Sequence, residues 1–384
     1  MWSNYLSVSP IKLMENKTRR ILIYGVVNQK TFGGVGTFVT EMNRHMSGDT
    51  LFDYVIEGEG CNIQDKIEEL GGQIYFITKR IKNPLLNLKE NKKILKELRN
   101  THEVVYFNLS SLGWIEPIRI AISLGYRVFV HSHNSKLLIN DTRHRLVHKT
   151  NRYRLSRYNV SRLSCSQRAT EFMFYPKDRV HFIHNAVDID LFKFNPEERM
   201  QVRKEIKLSS DTKVIGFVGR LVEQKNVLFL IDILRNVIAQ SEENIVMIII
   251  GEGNLKDKLN ERIVQFNLQE HCLLLGDRAD ANRYYQAMDV FLLPSLFEGL
   301  PIVMTEAQVS GLHCIISDTI TPEADISENV TFLPLDIGAE RWGEIVCEKL
   351  ADGGNQRDIY AEKIRNTAFD INSEAKRLEQ ILSC

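Results

Sequence analysis

Compact runs of β-branched and aromatic residues recur along the first half of the chain, at 20–27, 51–58, 73–78, 103–108 and 126–133. Each is short and nearly continuous in apolar side chains, the pattern of a strand buried on both faces. Between them lie stretches of helical period, such as 84–100 with Leu85, Leu88, Ile94, Leu95 and Leu98. Strand–helix alternation at this spacing predicts βαβ units and a parallel sheet covered on both sides. The rhythm falters over the polar segment 188–212 and restarts at 213–220, 244–253, 272–277, 289–295 and 313–318. The chain closes on an amphipathic pattern at 371–383, with Ser373 as its expected N-cap.

The expected organisation is therefore α/β, with two Rossmann-like doubly wound domains facing across a cleft. A loose leader occupies 1–19, the N-terminal domain 20–187, the connection 188–212 and the C-terminal domain 213–368. The last helix, 369–384, is expected to return to the first domain. In open α/β sheets ligands bind beyond the carboxyl ends of the strands, so the cleft is where chemistry is sought.

Lys+Arg and Asp+Glu balance at 49 each, which gives no general attraction for nucleic acid. Six cysteines without a CxxC read as thiols in a reducing compartment. No Cys/His cluster has zinc-like spacing and no apolar run is long enough to span a bilayer, so a cytoplasmic protein is expected. From Arg143 to Arg162 the chain carries seven Lys/Arg and no acid, interleaved with Leu146, Val147 and Tyr153. That stretch suits either a solvated helix face or contact with an anionic membrane surface or lipid diphosphate.

Four stretches carry candidate chemistry. Glycines 33, 34 and 36 follow the first strand and open a helix, as a plain turn or a phosphate cradle would. Arg220 and Lys225 bracket a loop before another helix, where two cations oppose the helix dipole unless something anionic compensates. Glu298 precedes a Gly-Leu-Pro corner and Glu306 lies eight positions on, on a helix expected to start near Leu300. Ionised carboxylates only accept hydrogen bonds, which suits hydroxyl recognition. His131 and His133 share one side of a strand's carboxyl end. The Asp188–Asp190 pair reads as turn chemistry.

These stretches resemble, in order and over almost the whole chain, the family 4 retaining glycosyltransferases of GT-B fold. The resemblance rests on the Gly-Gly-x-Gly loop, "IHNAVDIDLF" (183–192), "GFVGRLVEQKN", "IIIGEGNLKDKL" (248–259) and, most specifically, the Glu-x7-Glu of 298–306. Ala186 stands where that family often has glycine, and the HSHNS stretch is similar to the branch that builds bacterial capsule and exopolysaccharide. It implies a metal-independent hexosyltransferase that needs no cofactor. The donor would be a nucleotide-sugar, UDP by family habit, and the acceptor a lipid-diphosphate-linked sugar or oligosaccharide. Arg220 and Lys225 would hold the departing diphosphate, Glu306 the ribose and Glu298 the hydroxyls of the donor sugar. Backbone N–H groups at Gly34, Gly36, Gly299 and Leu300 would meet phosphate or sugar oxygens, and Arg278 would lie near the base. His133, or else His131, with Asn134 beside it, would contact the transferred sugar or the acceptor. The competing readings are a catalytically silent scaffold on the same fold and a nucleotide-sugar epimerase or hydrolase.

Overall fold

The computed structural model describes residues 18–26, 34–61, 63–137, 139, 141–352 and 357–384. Residues 1–17 of the expected leader and Gly33 lie outside them, and the leader's last residue, Arg19, already belongs to the first strand. The N-terminal sheet is built from β1 (Arg19–Tyr24), β2 (Thr50–Glu57), β3 (Ile74–Ile77), β4 (His102–Leu109), β5 (Arg127–Ser132), β6 (Ser161–Ser164) and β7 (Val180–Phe182). They lie in the order 3-2-1-4-5-6-7, and every pairing is parallel. Side chains alternate across this sheet: Ile21 and Ile23 enter one core, Leu22 and Tyr24 the other.

The C-terminal sheet comprises β8 (Lys213–Val218), β9 (Ile245–Ile250), β10 (Cys272–Gly276), β11 (Val290–Leu293), β12 (His313–Ser317) and β13 (Val330–Leu333). Its order is 10-9-8-11-12-13, again all parallel. All six residues of β9 are buried, as a strand covered by helices on both faces requires. The strands β6, β7 and β13, the last two at sheet edges, were not legible in the hydrophobic pattern; β7 carries only partly buried residues (Val180–Phe182) and β13 a single buried end (Val330–Leu333).

The segment 188–212 is more than a connection. It holds the helices Ile189–Phe192 and Pro196–Glu205, the second opened by Asn195, whose side chain accepts from the N–H groups of Glu197 and Glu198. Arg203 is buried and donates to the carbonyls of Ser209, Ser210, Thr212 and Ala287 and to Asp289, fixing this helix to the C-terminal domain. Asp188 caps the first of these helices through bonds from the N–H groups of Asp190 and Leu191. The helix Ile371–Ser383 packs Ile371, Ala375, Leu378 and Leu382 into the same core as Phe38 and Phe52 of the N-terminal domain. Its cap is Asp370, which accepts from the Asn372 N–H at 3.0 Å, rather than Ser373, whose own N–H is bonded to Asp370 O.

Candidate functional site: a charged cleft between the two sheets

Each sheet reverses its direction of winding once, between β1 and β4 and between β8 and β11. The loops that leave those strand ends face each other across a cleft of about 730 Å³, lined by Gly34, Ser110, His133 and Asn134 on one side and Arg220, Lys225, Arg278, Glu298 and Glu306 on the other. The crevice at such a switch point is the general ligand site of open α/β sheets.

Two close backbone approaches shape it. Gly251, which follows β9, has φ +142°, and a Cβ there would stand 1.9 Å from the Gly219 carbonyl oxygen. A Cβ on Gly299 would stand 2.4 Å from the His133 carbonyl oxygen, across the two domains. Around this second contact the N-terminal domain takes up three successive carbonyls. Ser135 Oγ donates to Glu298, Ser166 Oγ to Gly299 at 3.3 Å and Asn185 Nδ2 to Leu300.

Lys225 ends the 3-10 turn Glu223–Lys225, and Asn226 at φ 53° begins the helix Val227–Gln240. The Lys225 ammonium lies 2.7 Å from Glu298 Oε1, with both residues under a tenth exposed. For Lys225 the anionic compensation expected beside these cations thus comes from within the chain. Arg220 makes no ion pair among the described residues; its Nη2 donates to Gln224 Oε1 at 3.4 Å. Gln224 Nε2 donates in turn to Phe297 O at 3.0 Å and Glu298 Oε2 at 3.3 Å.

Glu306 sits on the helix Ile302–Val309, which begins two residues after the expected start, with Pro301 as its N-cap. Its Oε2 accepts from Tyr285 Oη at 2.6 Å. Burial pushes the Glu306 carboxyl up to about 7; the Tyr285 bond and Lys225 pull it down, while Glu41 pushes it further up. The first turn of this helix, Ile302 and Val303, borders the cleft with no side-chain cap, so its amide end favours an anion. Arg278 is forked onto Asp280 at 2.8 and 2.9 Å and lies over the Tyr284 ring.

The remaining expected contacts divide. His133 lines the cleft, with Nε2 2.8 Å from Asn108 Oδ1, and burial lowers its pKa to about 3, so it stays a neutral imidazole. Asn134 lines the cleft beside it. His131 does not: it is fully buried, 2.5 Å from Tyr106 Oη and packed against Phe38, because its position on β5 points it into the core. Gly36 also faces inward, 3.5 Å by its built Cβ from Ile63, whereas Gly34 borders the cleft. Leu300 also borders the cleft, with its carbonyl held by Asn185. Reading the sequence missed Gln224, Glu41 and Tyr285. Among the described residues no group of three or more His, Cys, Asp or Glu could hold a metal ion.

Comparison with known proteins bears on the fold. Residues 198–361 match the family profile described as Glycosyl transferases group 1. EpsF of Bacillus subtilis (strain 168), named as a glycosyltransferase, is 29% identical over 378 residues, covering 95% of this chain and 96% of its own length. A second relative, from Escherichia coli, is named UDP-Gal:alpha-D-GlcNAc-diphosphoundecaprenol alpha-1,3-galactosyltransferase; it is 37% identical over 147 residues, covering 36% of this chain and 37% of the relative. Among solved structures, HepE of Anabaena in complex with UDP-glucose superposes with a TM-score of 0.78 over 95% of this chain and 99% of that one. At 17% identity that likeness is one of fold.

Because the atom facing Gly299 is backbone, a side chain there cannot be absorbed by a rotamer change. Gly299→Ala should hold the domains apart, seen as a larger radius of gyration in small-angle X-ray scattering with unchanged far-ultraviolet circular dichroism. A scattering curve identical to that of the parent protein would count against the seam.

Proposed function

Since residues 198–361 belong to the group 1 glycosyl transferases and the whole chain has the GT-B fold, we propose that this protein moves a sugar from a UDP-sugar to a lipid-diphosphate-linked or oligosaccharide acceptor in capsule or exopolysaccharide synthesis. The observation that carries the reading is the meeting of Arg220, Lys225, Glu298 and Glu306 in one interdomain cleft. Cleavage of a glycosyl–diphosphate bond builds negative charge on the leaving group and positive charge at the anomeric carbon. Fixed cations at the end of β8 and the uncapped amide end of Ile302–Val309 oppose the first, and a single well-placed donor of this kind contributes roughly 3–4 kcal/mol. No metal ion is needed for that stabilisation.

Glu298 would accept from hydroxyls of the donor sugar and Glu306 from the ribose. His133, neutral at any working pH, would offer a hydrogen bond rather than a proton. The configuration at the anomeric carbon would be retained, with the acceptor hydroxyl attacking from the face the diphosphate leaves and a phosphate oxygen taking its proton. The acceptor class follows the name of the Escherichia coli relative, a diphosphoundecaprenol-linked sugar. Contact with the membrane that carries such a lipid would come from the helix Thr142–Leu155. Its Arg143, Arg145 and Lys149 are exposed, as are Leu146 and Tyr153. Arg152 and Arg154 are already spent on the Phe174 carbonyl and on Glu116. No helix among the described residues is long and apolar enough to cross a membrane.

The deciding measurement is UDP release from a panel of UDP-sugars with and without polyprenyl-diphosphate-linked sugars. Release that rises strongly with acceptor supports a transferase; acceptor-independent release points to a hydrolase, and none at all to a scaffold. Glu306 accepts ribose hydroxyls best when ionised, and its pKa is raised to about 7. Between pH 6 and pH 8 its ionised fraction grows roughly tenfold, so UDP affinity should strengthen by up to that factor as pH rises. Glu306→Gln should flatten the Glu306 part of that profile in calorimetric titrations; a parallel profile would remove Glu306 from the nucleotide site. Replacing Arg143, Arg145 and Lys149 together by Ala should lower co-sedimentation with anionic vesicles, and unchanged sedimentation would leave this helix as solvated surface.

A further inference from the structure

Gln224 is the residue on which the charged groups of the cleft converge, yet its own side chain carries no charge. It is 8% exposed and uses both ends of its amide. Oε1 accepts from Arg220 at 3.4 Å, and Nε2 donates to Phe297 O at 3.0 Å and Glu298 Oε2 at 3.3 Å. The amide orientation is dictated by its neighbours, because a guanidinium only donates while a carbonyl and a carboxylate only accept. Its main-chain oxygen also receives the Leu296 N–H at 2.8 Å, tying the 3-10 turn to the loop that leaves β11.

Lys225 holds the other oxygen of the same carboxylate at 2.7 Å. A donor diphosphate in the cleft competes for that ammonium. When Lys225 turns to it, Glu298 is left a buried charge short of one donor, a costly state unless another group holds it. We propose that Gln224 is the positioning residue for this exchange, keeping the Glu298 carboxylate and the Arg220 guanidinium in register while Lys225 passes from Glu298 to the donor diphosphate. The assignment rests on the sugar-transfer reading of the cleft. Only an amide serves both sides: a carboxylate at 224 would still accept from Arg220, but it would repel Glu298 and donate nothing, and an apolar side chain would do neither.

The test compares Gln224→Glu and Gln224→Met with the parent protein, measuring kcat and KM for the UDP-sugar the parent turns over and UDP affinity by calorimetry. Both variants should lose roughly tenfold or more in kcat, Gln224→Glu the more severely, with UDP affinity changed by less than about threefold. A merely structural glutamine would lower turnover and UDP affinity together, and that result overturns the assignment, as do kcat values within about twofold of the parent in both variants. Gln224→Glu is isosteric, so it carries the comparison even where Gln224→Met unfolds. Parent protein that releases no UDP from any UDP-sugar overturns the reading of the cleft and this assignment with it. Parent turnover with unchanged variants overturns the assignment alone.

Discussion

The loop Phe297–Pro301 is held from both domains where it borders the cleft. The N-terminal domain engages the carbonyls of Glu298, Gly299 and Leu300 through Ser135, Ser166 and Asn185. The C-terminal domain grips the same loop through Gln224 and Lys225. A main chain so fully bonded cannot drift, so the Glu298 carboxylate stands at a set height above the floor of the cleft. Gly299 is the condition for this arrangement, since any Cβ would collide with the His133 carbonyl. The loop therefore reports whether the domains are closed, and it does so next to the groups that would meet a ligand.

Electrostatics follow from that placement. Lys225 and Glu298 are nearly buried, and each would be costly alone, so in the empty cleft they neutralise one another. Glu306 lacks such a partner: Tyr285 gives it one hydrogen bond, and burial with Glu41 nearby leaves it half protonated near neutral pH. An anionic ligand rich in hydroxyl groups answers both conditions. In the proposed reading its phosphates would take over Lys225 and meet Arg220, which has no ion pair among the described residues, and its hydroxyls would supply donors to the two carboxylates.

What the sequence disclosed follows the range of each physical signal. Central strands such as β1, β4 and β9 are dense apolar runs, and burial on both faces makes them unmistakable. The short strands Ser161–Ser164, Val180–Phe182 and Val330–Leu333 are only partly covered and leave no such mark, whereas the edge strand Ile74–Ile77 shows through its aromatic and β-branched residues. The helix Pro196–Glu205 was hidden because its stability comes largely from Arg203 and its caps rather than from an apolar stripe. Arg220, Lys225, Glu298 and Glu306, which the structure brings to one cleft, stood out in the sequence because they lie in or just after loops that follow buried strands. Gln224 and Glu41 did not, because an uncharged amide or a single surface-like acid acquires meaning only from partners remote in the chain. His131 and Gly36 are turned away from the cleft: His131 lies within β5, covered by Phe38 and Tyr106, while His133 stands beyond the strand's end, and Gly36 is on the inward face of the helix Gly34–Arg44.

The division of labour between the two cations now has a structural basis. Arg220 is held weakly and sideways by one amide oxygen, so its planar fork remains available for a diphosphate in two-pronged geometry. Lys225 is a compact charge on a flexible stem, already bonded to an acid that the same ligand would also contact. Moving the ammonium by the length of a hydrogen bond changes the partner of both groups at once. An Arg at 225 could not make that exchange without abandoning its planar contacts, and a Lys at 220 would lose the fork. In the proposed transfer, the order of the two residues along the loop, with a glutamine that touches the first and the acid, would let one charge hold the leaving group while the other passes to it.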